Sequence, residues 1–576
     1  MTTFSVWAPN ASRVDVVVSG ERHPMQGDER GWWRTDISAQ PGCDYGFSLD
    51  GDEPLPDPRS AWQPAGVHGL SRLVEHSSYE WQTDSWELPD LLGSVSYELH
   101  IGTFTPGGTF DAAIDRLDHL VELGVDFVEI LPVAAFPGDA GWGYDGVFPY
   151  AVQDSYGGPD GLKRFVDACH ARGLGAILDV VYNHLGPDGN VLPRFGPYFT
   201  DSYATPWGQA VNFSGADSDD VRRYVLDNAL MWLRDYRFDA LRLDAVHAIV
   251  DTSATHVLEE MSADVQSLSS QLRRPLWLIA ESDLNDPRII ARREEGGYGI
   301  DAQWSDDFHH ALHAVVTGES FGYYEDFGSL ADLADALTRG FVYVGQHSTH
   351  RRRKHGRELP ETIPATRLLG YVQDHDQIGN RACGDRLAAL VSPELVKVAA
   401  ALVLLSPFTP MLFMGEEWAA STPWQYFTDH RDPHLAESVR HGRRNEFKAF
   451  GWEPSEVPDP QDPETVQRSV LDRSELERDL HAEVLAWHRS LIALRRSRPE
   501  LRDGSFADVE VDEAARTLVM RRGAVTLIAN LSPIPATLFT GATRLLLSSS
   551  SASLVGGLLT LPGESVAILD RGDAAS

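Results

Sequence analysis

Between Val95 and Gly415 the chain alternates eight short apolar runs with amphipathic helices, and this rhythm constrains the fold more than any other feature. The runs begin at Val95, Val125, Ala176, Asp239, Leu276, Asp301, Leu368 and Met411. Phe110, Ile114, Leu117 and Val121 share one helix face after the first run, and that helix stops at Gly124. Leu162, Phe165, Val166 and Cys169 repeat the pattern before Gly173. Strands this apolar are buried on both faces, as in parallel sheets covered by helices. Eight such units predict a (β/α)8 TIM barrel over 91–500, with a short insertion at about 185–217. A doubly wound open sheet is the alternative, but no GxGxxG follows the first strand.

The flanks read differently. Residues 1–90 carry short alternating stretches such as Phe4-Ser-Val-Trp and Val14-Asp-Val-Val-Val, broken by Pro9-Asn10 and Gly51-Asp52. They predict an N-terminal β-sandwich of immunoglobulin-like type. A helix near 481–496 should close the barrel, and strands at Thr517, Val525 and Val566 predict a small C-terminal β domain over 501–576. The tail from Gly572 is expected to fray. In the long connection after the sixth run, Arg351-Arg-Arg-Lys354 reads as a solvated loop.

Composition narrows the function. The chain has 576 residues with 49 basic and 85 acidic side chains, a net charge of −36. Such a surface repels nucleic-acid phosphates and anionic membranes, so neither is an expected partner. Three scattered cysteines form no metal-ligand spacing and suit a reducing compartment. The first residues show no basic and apolar leader, and no run is long enough to span a bilayer. A cytoplasmic enzyme acting on a neutral substrate fits these limits.

Functional side chains of a barrel stand at the C-terminal ends of its strands. Those ends supply Asp179 and His184, then Arg242, Asp244 and His247, then Glu281, then His375 and Asp376. Arg242 and Asp244 lie two apart on a strand and face the same way, so the guanidinium holds the carboxylate ionised, as a nucleophile requires. Glu281 ends an apolar strand, and desolvation should raise its pKa toward general-acid use. One ionised and one protonated carboxyl is the requirement for glycosidic cleavage, and a separation of about 5 Å would give retention. A metal site is the competing chemical reading of these residue types, without a compact ligand motif to support it.

Asp179-Val-Val-Tyr-Asn-His184, Leu241-Arg-Leu-Asp-Ala-Val-His247, Ile279-Ala-Glu-Ser and Val372-Gln-Asp-His-Asp-Gln377 resemble, in order, the four signature segments of the α-amylase superfamily, glycoside hydrolase family 13. The resemblance implies Asp244 as nucleophile, Glu281 as general acid/base and Asp376 as transition-state stabiliser. It implies sugar contacts from Arg242, His184 and His375, with Gln377 and Asn380 beside them, and from Trp142-Gly-Tyr-Asp145, where Tyr144 would stack and Asp145 would bond hydroxyls. It implies no cofactor and no required metal, because the insertion is short and Asn183 is expected to bond loop backbone. The N-terminal sandwich is then of carbohydrate-binding type.

Within the superfamily three features resemble the malto-oligosyltrehalose trehalohydrolases: Tyr97 to Phe110 with Gly141 to Val147, Gln303 to His313, and Phe427 to Leu435 with Gly442 to Phe447. The expected reaction is hydrolysis of the α-1,4 bond beside the terminal trehalose of malto-oligosyltrehalose. A synthase making that substrate is the implied pathway partner. Branching transferase or another α-glucan hydrolysis is the alternative, though branching enzymes usually place a second acid where Ser282 follows Glu281. Recognition of trehalose needs donors and acceptors that maltose leaves unmatched. Asp306, Asp307, Phe308, His309 and His310 are expected to supply them, with His247.

Overall fold

The computed structural model describes residues 2–205, 208–448 and 456–572; beyond Gly572 the tail expected to fray lies outside them. Eight parallel strands close into a barrel. They are β1 (Ser96–Leu99), β2 (Phe127–Ile130), β3 (Gly175–Val180), β4 (Ala240–Leu243), β5 (Trp277–Ala280), β6 (Ala302–Trp304), β7 (Leu368–Gly370) and β8 (Thr409–Phe413). Each grows from one of the eight apolar runs. The seam joins β8 to β1, with Met411 opposite Ser96. Arg495, fully buried on the helix Asp479–Ser497, fastens that seam by donating to the carbonyls of Gly93, Leu404, Ser406 and Phe408. No helix among the described residues is long and apolar enough to cross a membrane.

Side chains two apart on a strand share a face, and that period layers the barrel interior. Phe127, Ile177, Ala240, Ile279 and Ala302 form a dry apolar layer. Two residues further along, in the strands or just past them, come Glu129, Asp179, Arg242, Glu281 and Trp304, so the next layer is charged but for the indole of Trp304. The apolar layer supplies the burial and the charged layer carries the chemistry.

Two sheets precede the barrel, of three strands (Thr2–Trp7, Trp32–Ile37, Gln26–Gly27) and four (Glu21–Pro24, Val14–Val18, Asp44–Leu49, Ser71–Arg72). Two more follow it: five strands between Asp508 and Asp570, and three between Ala536 and Leu561. The connection after β3 holds the hairpin Phe199–Thr205 with Gly208–Val211. After β6 comes the hairpin Val344–Ser348 with Arg353–Gly356. Arg351 at its tip departs from the solvated loop expected there, because its guanidinium reaches back to Asp283 at 2.8 Å.

Candidate active site

The C-terminal ends of the strands surround a cavity of about 510 Å³. Arg242 is its organising group. It is fully buried under a cation–π contact with Trp304, its Cζ 4.2 Å from the ring centroid. Nη1 donates to both oxygens of Asp179, at 2.9 and 2.8 Å, and to Asp244 Oδ1 at 2.8 Å. Nη2 lies 2.9 Å from Glu281 Oε2. One cation therefore touches three carboxylates.

Their protonation differs because their surroundings do. Burial would raise the pKa of Asp244, but Arg242, His184 and the Asn183 amide at 2.7 Å outweigh it and hold the carboxyl below its ordinary value. Asn183 also donates to the Asp244 carbonyl at 2.9 Å, so it braces this carboxylate as well as backbone. Glu281 moves the other way. Burial, against the pull of Arg242 and with the charges of Asp244 and Asp376 adding to it, raises its pKa well above that of a free glutamate. The two groups are tied through Ala245, whose N–H donates to Glu281 Oε2 at 2.7 Å. Ala245 holds a φ of +38°, a strained conformation for a residue with a Cβ, and strain of this kind gathers at functional sites.

A hydrogen-bonded chain buttresses this centre. Glu98 on β1 accepts from the backbone N–H of His375 at 3.0 Å and contacts its Nδ1 at 2.5 Å. Burial alone would lower the His375 pKa, but the Glu98 charge and hydrogen bond push it up to about 10. The imidazolium Nε2 then meets Tyr144 Oη at 2.7 Å, and that hydroxyl donates to Asp179 at 2.5 Å. His184 Nε2 lies 3.0 Å from the Tyr144 carbonyl. Gly143 makes the entry of Tyr144 possible: its φ is +102°, and a Cβ would fall 2.1 Å from the Pro132 carbonyl oxygen.

The structure brings Tyr144, Asp145, His184, Asp244, His247, Glu281, His375, Asp376 and Asn380 to one cavity wall. Asn380 donates to Asp376 at 2.8 Å. Gln377 stands partly exposed outside that lining, its backbone N–H spent on Asp374 at 2.7 Å.

The segment expected to read trehalose requires correction. Asp306, Asp307, Phe308, His309 and His310 open the helix Asp306–Thr317, and none of them lines the cavity. Asp306 accepts from Tyr371 Oη at 2.5 Å. Asp307 Oδ2 accepts from Asn285 Nδ2 and from the N–H groups of Val342 and Tyr343, at 2.7, 2.7 and 2.9 Å. Phe308 is fully buried against Phe408. His309 Nε2 pairs with Tyr324 Oη at 3.0 Å, and His310 stacks on Tyr323. Of the polar mixture that suggests hydroxyl recognition, Asp307 instead satisfies loop backbone while Asp306 and His309 bond tyrosine hydroxyls, partnerships no local pattern encodes. Accordingly D307A should cost stability: three orphaned donors at about 1–3 kcal/mol each give a lowered Tm. KM for malto-oligosyltrehalose should change little, and a selective rise in KM at unchanged Tm would contradict this placement.

The far wall is not expected from the sequence, where Gly442 to Phe447 counts only as a family-like segment. The helix Pro433–Lys448 returns over the barrel mouth and presents Val439, Arg443 and Glu446 beside Tyr426 and Trp142. Arg443 Cζ lies 5.1 Å from the Tyr426 ring centroid and its guanidinium bonds the Gly379 carbonyl. Gly379 has no room for a side chain, because a Cβ there would meet Trp142 at 1.8 Å. The basic run around Arg443 was a visible signal, but nothing local says that it folds back onto the cavity.

Three family models match the chain: a carbohydrate-binding module 48 (isoamylase N-terminal domain) over 1–62, an alpha amylase catalytic domain over 70–195, and a domain of unknown function (DUF3459) over 504–568. The chain is 55% identical to the malto-oligosyltrehalose trehalohydrolase of Arthrobacter ramosus, covering 92% of this chain and 93% of that protein. The crystal structure of a putative alpha amylase from Salmonella typhimurium superposes with a TM-score of 0.91 at 38% identity, over 99% of this chain and 97% of that one. The 1,4-alpha-glucan branching enzyme of Pseudoalteromonas atlantica is more distant, 26% identical over 74% of this chain and 62% of that protein.

Proposed function

Because the chain belongs to the malto-oligosyltrehalose trehalohydrolases, carrying an α-amylase catalytic domain, we propose that it hydrolyses the α-1,4-glucosidic bond joining a terminal trehalose to a malto-oligosaccharide. The observation that best supports this chemistry is one arginine shared by a carboxyl held below its ordinary pKa and another raised well above it. In this reading Asp244 attacks the anomeric carbon as Glu281 gives its proton to the departing trehalose oxygen. A covalent glucosyl-Asp244 ester remains. Glu281, now ionised, takes a proton from water, whose oxygen displaces Asp244 and regenerates both groups. Asp376, His184 and His375 hold the sugar hydroxyls and Tyr144 supplies an aromatic face, while Arg242, expected to touch the sugar, is fully buried behind the cavity and holds the carboxyls instead.

The pH dependence follows from the two shifts. Activity needs Glu281 protonated, so it is lost as pH rises through a raised pKa. It needs Asp244 ionised, so it is lost as pH falls through a lowered one. The kcat/KM profile should therefore be a broad bell whose acid limb lies below the usual aspartate range and whose alkaline limb lies above the usual glutamate range. An alkaline limb at an ordinary glutamate pKa would contradict the assignment of Glu281.

The substrate must come from an enzyme that converts the reducing-end maltose unit of a malto-oligosaccharide into trehalose, and we place both activities in the cytoplasm. We set the domain boundaries near residues 90 and 501. The deciding experiment incubates the protein with malto-oligosyltrehalose and follows free trehalose together with the anomer released. Trehalose with an initial α-anomer of the malto-oligosaccharide is expected. Branched glucan without trehalose would establish a transferase, and an initial β-anomer would exclude double displacement.

A further inference from the structure

Beneath the site, inside the closed barrel, lies a carboxyl that the chemistry above does not use. Glu129 on β2 stands in register opposite Glu98 on β1, and both side chains are 1% exposed. Glu98 spends its two oxygens on His375. Neither Glu129 oxygen has a hydrogen-bond partner among the described residues. The groups facing Glu129 are Glu98, Asp179, Arg242 and His375. Arg242 spends both Nη groups on Asp179, Asp244 and Glu281, its Nε makes no hydrogen bond to Glu129, and His375 is held by Glu98. An ionised carboxylate with no donor, buried beside a second carboxylate, is unfavourable on both counts, whereas the neutral acid loses far less by burial. Burial, and then the charge of Glu98, accordingly raise the Glu129 pKa well above its ordinary value, against the pull of Arg242.

We propose that Glu98 and Glu129 form a positioning pair: Glu129 keeps its proton, Glu98 carries the pair's single charge, and that charge holds His375 as the imidazolium that orients Tyr144 and, through it, Asp179. The groups facing His375 are Glu98, Glu129, Asp179, Asp374, Arg242, His100 and Tyr144, with Trp142, Trp304 and Trp424 packed around it. A second charge on Glu129 would compete with Glu98 for the same imidazolium and disturb the chain that ends on Arg242. The pair deepens the hydrolase reading and relies on it only for the kinetic assay.

The test uses the full chain and two readouts. Infrared difference spectra compare E281Q with the E129Q/E281Q double variant, so that the proton of Glu281 contributes to neither. The expected result is loss of one protonated-carboxyl C=O stretch, and this measurement stands whatever the substrate is. In kinetics, E98Q should lower kcat/KM by at least about tenfold and add an alkaline limb below the parent's, as His375 loses its proton earlier. E129Q, a neutral isostere, should lose much less. No lost C=O stretch would overturn the proposal. So would an E129Q loss equal to that of E98Q at unchanged Tm, or an E98Q pH profile that matches the parent.

Discussion

Replacing Asp244 with Asn is expected to lower kcat on malto-oligosyltrehalose by at least about three orders of magnitude without unfolding the protein. The amide keeps the shape and its oxygen can still accept from Arg242, but its NH2 faces the Asn183 donor and it cannot form the glucosyl ester. E281Q should fall comparably with trehalose as leaving group, because the proton that departs with the oxygen is gone. A substrate whose leaving group needs no proton separates the two roles. E281Q should then form the ester and stall at its hydrolysis, whereas D244N should form none. Mass spectrometry of the trapped protein reads this directly. Near-parental turnover in either variant would remove that residue from the chemistry.

The second large effect belongs to Arg242. Substitution by Met leaves Asp179, Asp244 and Glu281 together in the barrel interior without their shared cation. Removing one partner of a buried ion pair costs about 3–5 kcal/mol, since the charge left behind is uncompensated. R242M should therefore shift the urea midpoint markedly, and D179N in the same background should recover part of the loss by neutralising one stranded carboxylate. Activity should fall with stability, because an Asp244 freed from Arg242 loses the strongest of the influences that keep its pKa low. An unchanged midpoint in R242M would mean that the three acids share protons well enough to do without the arginine.

The barrel was legible because each strand is an apolar run followed by a helix period, a signal carried within a dozen residues. The centre was legible for a related reason: Arg242 and Asp244, two apart, point into one space, and Glu281 closes an apolar strand. Residues whose meaning depends on distant partners were not. Asp307 reads as a ligand for hydroxyls until Asn285 and the 342–343 backbone are seen around it. Glu129 reads as one polar residue in an apolar strand, although its period-two relation to Phe127 already points it into the barrel. Arg443 reaches the cavity only through the course of a helix after the last strand.

The way the barrel closes bears on how it is made. The seam hydrogen bond from the Gly93 N–H to Thr409 Oγ1 joins groups 316 residues apart, and the Arg495 contact with Gly93 spans 402. At ordinary elongation rates the ribosome needs on the order of tens of seconds between delivering the two edges of that seam. Throughout that interval β1 and its growing sheet offer an open, apolar edge to any strand nearby. Expression of this enzyme should thus depend on translation speed and on chaperone supply more than its finished stability would indicate. A chain permuted to begin just before Asp479, with its natural ends linked, would deliver the fastening helix first yet leave the interval between β1 and β8 unchanged.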